Sequence, residues 1–262
     1  MTAFYLPLGD DRYEPTTSTE SPWDSRMQHG GPPAALLGHR MSQDGLRLTR
    51  ISLDFLGPIP RKPLSIEVTT LKPGRLTALV EARMVVDGRT AVVARGWHIA
   101  AGPKPPVVTP PVTPPPVPAD AGGHGLPGWG YGDAIEWRFR EGGFGRYAGH
   151  ADVWTRVRHP LIEGEEITGT ARALIVADSA NGLSAALDMG TWLSIPPGMT
   201  TTLLRPADGE WVHLRCRTEL TGDGLGLCTA ELADEGGRIG VVSQPLLVRQ
   251  RQPGGPTGAT AR

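Results

Sequence analysis

Strand-like runs of apolar and β-branched residues occur in two groups along the chain. The first holds Leu48–Phe55, Leu64–Thr70, Leu76–Val86 and Thr90–Ile99. The second holds Thr200–Leu204, Trp211–Glu219, Leu225–Ala233 and Ile239–Val248. Runs of this length and composition, bounded by Gly, Pro and Asp, predict strands. An Ala/Leu-rich helical segment precedes each group: Pro32–Met41 in the first and roughly Asp178–Met189 in the second. Pro32 and Pro33 suit a first helical turn, whose N–H groups lack intrahelical acceptors anyway. Asp178 and Ser179 suit an N-cap. Asp87-Gly88 predicts a tight hairpin, with Glu235-Gly236-Gly237 as its counterpart. Glu14–Thr19 and Ala134–Arg140 read as the first strand of each group, and Trp154–Val157 as an extension of the second.

The two groups share a frame. Pro58 and Pro206 lie 148 residues apart, and the same offset pairs Met41 with Met189, Ile66 with Leu214, Gly74 with Gly222 and Gly88 with Gly236. With one residue inserted after that point, Arg89 pairs with Arg238, Val92 with Val241 and Val93 with Val242. Such self-similarity predicts a duplicated unit, each copy one helix on a curved antiparallel sheet, an α+β architecture. A lone unit exposes sheet edges; two units set edge to edge make one continuous sheet and remove two of those edges. The proline-rich segment 102–123 excludes helix and central strand and predicts an extended connector. The expected organisation is therefore a first unit at 1–101, a linker at 102–123, a second unit at 124–251 and a disordered Gly/Pro/Thr-rich tail at 252–262.

Composition narrows the function. The 262 residues are 39 % hydrophobic and 20 % charged, with a formal net charge of −1, which suits a globular core. Lys and Arg are scattered, so no nucleic-acid or anionic-membrane surface is expected, although a few local Arg residues could still meet a phosphate. No run of about 18 apolar residues predicts a membrane span. Met1–Asp10 lacks the pattern of a secretory signal, and a cytoplasmic protein is expected. Cys216 and Cys228 lie in strand-like runs as small buried hydrophobes, and no Cys/His spacing suggests a metal. The GDGLG segment sits inside a hairpin rather than between strand and helix, and no G-x-S-x-G elbow occurs.

At HGGPPAALLGHRM (His29–Met41), DFLGPIP (Asp54–Pro60), ADSANG (Ala177–Gly182), LLRPADGEW (Leu203–Trp211) and VVSQPLL (Val241–Leu247), the chain resembles the acyl-CoA thioesterase II family, in particular its actinobacterial branch. The resemblance spans nearly everything except the linker and tail. It implies a double hotdog fold, two helix-plus-antiparallel-sheet repeats in one continuous sheet, and hydrolysis of acyl-CoA without metal or cofactor. It further implies an Asp, a Thr or Ser, and a Gln in the second repeat that together position the attacking water. Asp178 matches the Asp and Gln244 the Gln. The hydroxyl position falls on Pro196 when counted back from Arg205-Pro206, so Thr200 or Ser194 must substitute, and Thr200 is the candidate carried forward.

The residues admit their own chemistry. A carboxylate at a helix N-terminus is stabilised by the helix dipole by about 0.3–1 kcal/mol, which would lower the pKa of Asp178 unless burial raises it, and make it a water-orienting group, a weak base or a plain N-cap. Gln244 interrupts an apolar run: it either faces inward and holds water or carbonyl, or faces solvent. Its expected repeat mate is Arg95. Pro245 beside it implies an edge or bulge. His29, Gly30 and Gly31 open the first helix, where free N–H groups could cradle an oxyanion or phosphate, or where a His simply packs by a tight turn. Asn181 could donate to a substrate carbonyl or cap its turn, and Arg205 could meet a coenzyme A phosphate or sit on the surface. Trp129, Trp137, Trp154 and Trp192 could line an acyl channel or pack the core. The expected substrate is acyl-CoA or a carrier-protein thioester, and a homo-oligomer is expected. The alternatives are a cyclase or dehydratase on a polyketide-type thioester, or a non-catalytic acyl-binding protein.

Overall fold

The computed structural model describes residues 3–120 and 128–251. The expected tail at 252–262 and the last three linker residues lie outside the described residues. In chain order the strands and helices of the first half are β1 (Tyr5–Gly9), β2 (Arg12–Pro15), α1 (Gly31–Arg40), β3 (Leu46–Phe55), β4 (Leu64–Lys72), β5 (Thr77–Val86) and β6 (Arg89–Ala100). The second half holds α2 (Gly130–Asp133), β7 (Ile135–Glu141), β8 (His150–Val157), α3 (Gly169–Ala177), α4 (Ala180–Leu183), β9 (Trp192–Ile195), β10 (Gly198–Leu203), β11 (Trp211–Leu220), β12 (Leu225–Asp234) and β13 (Gly237–Gln250). Among the described residues no helix is long and apolar enough to cross a membrane.

Thirteen strands form one antiparallel sheet in the order β1-β2-β4-β5-β6-β3-β10-β13-β12-β11-β8-β7, with β9 pairing β13 beside β10. The order reads the same from both ends, and its centre is the pair β3–β10. There Ser52 faces Thr200, and their hydroxyls meet at 3.1 Å across a sequence separation of 148. A residue paired with its own frame partner lies on the local twofold axis. The expected edge-to-edge junction is thus this one rung and its neighbours.

Register refines the repeat. Ile66 faces Met84 and Leu214 faces Leu232; Arg95 faces Ser52 and Ser243 faces Thr200; Val86 faces Arg89 and Asp234 faces Gly237. All hold the offset of 148. The irregularities at Met84/Val85 and Leu232/Ala233 do too. The expected one-residue insertion before Arg238 is therefore absent. It came from matching like residues (Arg with Arg, Val with Val) across a slip that would have turned every later side chain to the wrong face. The structural mate of Gln244 is Gly96, not Arg95.

The helices break the frame. α1 begins at Gly31, close to its expected start, but the second long helix is Gly169–Ala177 rather than Asp178–Met189. Thr168, not Asp178, is its N-cap, accepting from the Ala171 N–H at 3.1 Å. The segment expected to be helical contains α4 and a non-helical stretch running to β9. Glu14–Thr19 likewise splits into β2 and a 3-10 turn at Thr17–Thr19, where the Thr16 hydroxyl caps Ser18. Trp154–Val157 belongs to a separate strand, β8, paired with β7.

Helices α1 and α3 are apolar on nearly all sides and lie together against the inner face of the sheet. Leu36, Leu37, Leu174 and Ile175 are fully buried, and each contributes about 1.5–3 kcal/mol by leaving water. Gly31 makes the close approach possible: a Cβ there would overlap the Ile175 carbonyl oxygen. Residues 101–118 run without helix or strand. The Pro115 carbonyl accepts from Trp154 Nε1 at 3.1 Å and the Pro118 carbonyl from Arg138 Nη1 at 2.7 Å, so the proline-rich segment straps the outer face of the second repeat.

Candidate active site

The site assembles where the start of α1 meets the end of α3. Asp178 is the C-cap of α3, not an N-cap. The negative end of the helix dipole lies here, opposite to the expected stabilisation. Burial dominates and pushes the Asp178 carboxyl up to about 7, against the opposing hydrogen bonds from the Gly30 backbone and Gln244.

Gln244 faces inward and is fully buried. Its Nε2 donates to Asp178 Oδ1 at 2.9 Å, and its Oε1 accepts from the Asn181 N–H at 3.2 Å. Both ends of the amide are therefore fixed, and its orientation with them. Pro245 follows on a strand that is neither an edge nor bulged at that point. It falls where β13 changes neighbour, after Ser243 pairs with Thr200 of β10 and before Leu247 pairs with Ile195 of β9. The missing N–H matches the gap between those two strands, which Pro196 and Pro197 span.

From the other repeat come His29 and Gly30. His29 Nδ1 accepts from the Gly31 N–H at 3.2 Å and lies 3.5 Å from Asp178 Oδ2. A nitrogen that accepts carries no proton, so the ring is neutral with its proton on Nε2. Burial agrees, pushing His29 down to about 3. The pair is therefore not an ion pair at neutral pH; a protonated Asp178 can donate to Nδ1 instead. The His29 ring stacks on Tyr131 at 3.9 Å and 9°, and the Tyr131 hydroxyl reaches Ser179 Oγ at 2.6 Å while donating to the Ile175 carbonyl at 2.8 Å. Phe55 also closes on Gly30, where a Cβ would lie 2.9 Å from its ring and 2.7 Å from Asp178 Oδ2.

Other expected site residues stand elsewhere or are already engaged. Thr200 shares a rung with solvent-exposed Ser243, so its hydroxyl points to the outer face, away from Gln244, and binds Ser52. Thr200→Val is expected to leave turnover within about twofold, checked by steady-state kinetics, since surface changes away from a site cost about 0.5 kcal/mol or less. The cradle expected at Gly30 and Gly31 is spent on Asp178 and His29, and Pro32 and Pro33 have no N–H to add. Asn181 Nδ2 donates to the Ser194 carbonyl at 2.8 Å, and Ser194 Oγ donates back to Asn181 Oδ1 at 3.2 Å. Arg205 grips Asp234, whose side chain is fully buried, at 2.5 and 2.6 Å. Burial pushes Asp234 up, yet Arg205 and the Asp208 and Gly236 N–H groups prevail and hold it below the usual carboxylate range. Arg205 is thus a structural clamp with its charge matched.

Of the four tryptophans, Trp129 lies 6.2 Å from His29 and Trp137 is buried beside Tyr131. Trp154 packs on His213 under the proline strap, on the outer face, and Trp192 lies half-buried against the core. Cys228 pairs across from Gln244, and both cysteines are free and buried. Among the described residues no group of three His, Cys, Asp or Glu side chains could hold a metal.

Sequence reasoning missed the His29–Asp178 contact, Tyr131 and Thr201. The last had a signal: in Met-Thr-Thr-Thr-Leu (199–203), the two apolar ends put the middle Thr on their own face. Thr201 faces Ile51 and Val242, fully buried, and its hydroxyl has no hydrogen-bond partner among the described residues.

Two helix-on-sheet repeats sharing one antiparallel sheet, with a buried carboxylate–amide pair between their helices, define a double hotdog protein. Residues 19–99 match the profile of the acyl-CoA thioesterase N-terminal domain and residues 111–248 that of the C-terminal domain, and the chain belongs to that family. The second match begins inside the proline-rich segment, consistent with the packing of Pro115 and Pro118 on the second repeat. Solved structures share the fold at low identity. A hot dog fold protein of Alicyclobacillus acidocaldarius aligns with TM-score 0.73 at 14 % identity, covering 94 % of this chain and 96 % of its own. The tesB protein of Mycobacterium avium subs paratuberculosis gives 0.70 at 15 %, covering 94 % and 95 %. The acyl-CoA thioesterase II TesB2 of Mycobacterium marinum gives 0.64 at 16 %, covering 96 % of each chain. No curated protein sequence matches this chain.

Proposed function

We propose that the chain hydrolyses an acyl thioester of coenzyme A or of a carrier protein, with Asp178 as the base for the attacking water. The observation that carries this reading is the Asp178–Gln244 hydrogen bond of 2.9 Å in a buried setting that lifts the carboxyl to about 7. A base with its pKa near the working pH is both ionised often enough and basic enough to be effective. Asp178 takes a proton as water adds to the thioester carbonyl carbon. The tetrahedral intermediate then expels the thiolate, and Asp178 returns the proton to sulfur. Carboxylic acid and free thiol leave.

Gln244 fixes the carboxylate and the neighbouring water. His29, neutral with its proton on Nε2, supplies a donor for the developing oxyanion. Thr201 brings an unpartnered hydroxyl to the same face of the sheet as Gln244, two residues from its rung on β13, and takes the place of the family hydroxyl that falls on Pro196. In a free-thiol release assay across an acyl-CoA series, the wild type releases thiol and Gln244→Ala lowers kcat by about 10²-fold with little change in KM. No release at any chain length sinks the reading.

A second reading draws on the 3.5 Å approach of His29 to Asp178 across the repeats. A His and a carboxyl in contact can also remove water from a 3-hydroxyacyl thioester, or add it to the conjugated enoyl thioester. Conversion of 3-hydroxyacyl-CoA to a conjugated enoyl-CoA without thiol release would favour it.

A further inference from the structure

The connections from helix to central strand differ between the repeats. Residues 41–45 lead directly from α1 to β3, whereas residues 178–197 lead from α3 to β10 by way of α4 and β9. The second connection carries Asp178 and Asn181. Asn181 lies within α4, a four-residue helix with no side-chain cap, and β9 pairs with β13 alone. The buried side chain of Asn181 joins the two elements. Its Nδ2 donates to the Ser194 carbonyl at 2.8 Å, and its Oδ1 accepts from Ser194 Oγ at 3.2 Å. A carbonyl can only accept, so the Asn181 amide has one orientation.

The main-chain N–H of the same residue donates to Gln244 Oε1 at 3.2 Å. That bond decides which way the Gln244 amide faces. An N–H can only donate, so Oε1 must meet it and Nε2 must turn to Asp178 Oδ1, 2.9 Å away. Nε2 suits an ionised carboxylate. With the amide turned over, Oε1 would face Asp178 and accept from its protonated form instead. The Asn181 N–H therefore selects the Gln244 orientation in which Asp178 can act as a base. Together with the Gly30 backbone, the Gln244 bond opposes the upward push of burial on the carboxyl. The other titratable groups near Asp178 are His29 ahead of α1, Tyr131 of α2 and Cys228 of β12, and burial keeps all three neutral around pH 7.

We propose that Asn181 is a positioning residue, its side chain clamped to Ser194 so that its N–H keeps the Gln244 amide turned toward an ionised Asp178, a role that rests on Asp178 being the base for thioester hydrolysis. Asn181→Ala in the full-length protein tests it, read by thiol release from acyl-CoA and by carboxyl 13C titration of aspartate-labelled protein. At pH 7, kcat is expected to fall about tenfold with KM within about twofold, the worth of one hydrogen bond to a charged group. The Asp178 midpoint and the acid limb of the kcat profile are expected to rise together by about one pH unit, so the deficit shrinks at pH 9. In a Gln244→Ala background, Asn181→Ala is expected to move the midpoint no further. Ser194→Ala removes one of the two clamp bonds; it is expected to move the midpoint the same way by less, and it serves if Asn181→Ala does not fold. A raised KM with an unmoved midpoint would make Asn181 a direct substrate contact and overturn the proposal. A lowered Tm with an unmoved midpoint, or a further shift in the Gln244→Ala background, would overturn it as well. No thiol release by the wild type would sink the hydrolysis itself, whereas an unmoved midpoint beside normal wild-type turnover sinks only the positioning role.

Discussion

Asp178→Asn is expected to lower kcat for thioester hydrolysis by about 10²–10⁴-fold, the usual worth of a general base, while making the protein more thermostable at pH 8. The two effects share a cause. The folded-state pKa of Asp178, about 7, lies above its ordinary value of 3.8. A raised acid pKa means that the fold prefers the protonated form, so wild-type stability falls as pH rises from about 4 to about 7. Asparagine resembles that protonated form: its oxygen can accept from Gln244 Nε2 and its amide can donate toward His29 Nδ1. The stability gain should be full above pH 7, shrink through the window from 7 to 4, and vanish below. Three pKa units correspond to about 4 kcal/mol at most. Because a tenth of the side chain remains exposed, a rise in Tm on the order of 5 °C at pH 8 is the expected figure. Thermal melts of both proteins at pH 8 and pH 4 check it. A variant that lost activity yet was equally stable at both pH values would show that the carboxylate carries its charge without strain.

Gly31→Ala is expected to lower Tm by about 10 °C and to abolish activity with it. The added methyl would overlap the Ile175 carbonyl oxygen, which is backbone and also accepts the Tyr131 hydroxyl. Neither helix can yield by turning a side chain. Overpacking a core typically costs about 1–3 kcal/mol and more where backbone must move, and each kcal/mol is worth about 2–4 °C in a chain of this size. Moving α1 away from α3 also carries His29 and Gly30 away from Asp178, so turnover falls before the protein unfolds. A melt within 2 °C of the wild type would show that the two helices are less closely seated than their glycine contact indicates.

Much of the architecture could be read from local pattern. The strands appear near their expected bounds because alternation and turn residues act over a few positions. Asp87-Gly88 illustrates this: both residues have positive φ, 49° and 73°, as a two-residue hairpin requires. The second helix could not be read this way. The repeat frame was carried across from the strands, but the stretch between α3 and β10 is built differently in the second half, and α4 and β9 occupy it. The same error set Asp178 at the wrong end of a helix, where the dipole no longer lowers its pKa and burial prevails. A count from Arg205-Pro206 falls on Pro196 and leaves Thr200 as a nearby hydroxyl, because it takes no account of which face a strand residue presents.

The sequence by itself determined the duplication of a helix-and-sheet unit and the family, and it singled out Asp178 and Gln244 as candidates. These depend on local periodicity and on short words that survive in one dimension. Only the tertiary structure decided that His29 meets Asp178, that Gly96 is the mate of Gln244, and that Thr201 rather than Thr200 faces inward. Burial, register and contact between repeats are properties of how segments distant in sequence pack, and burial is what lifts Asp178 toward neutral pH.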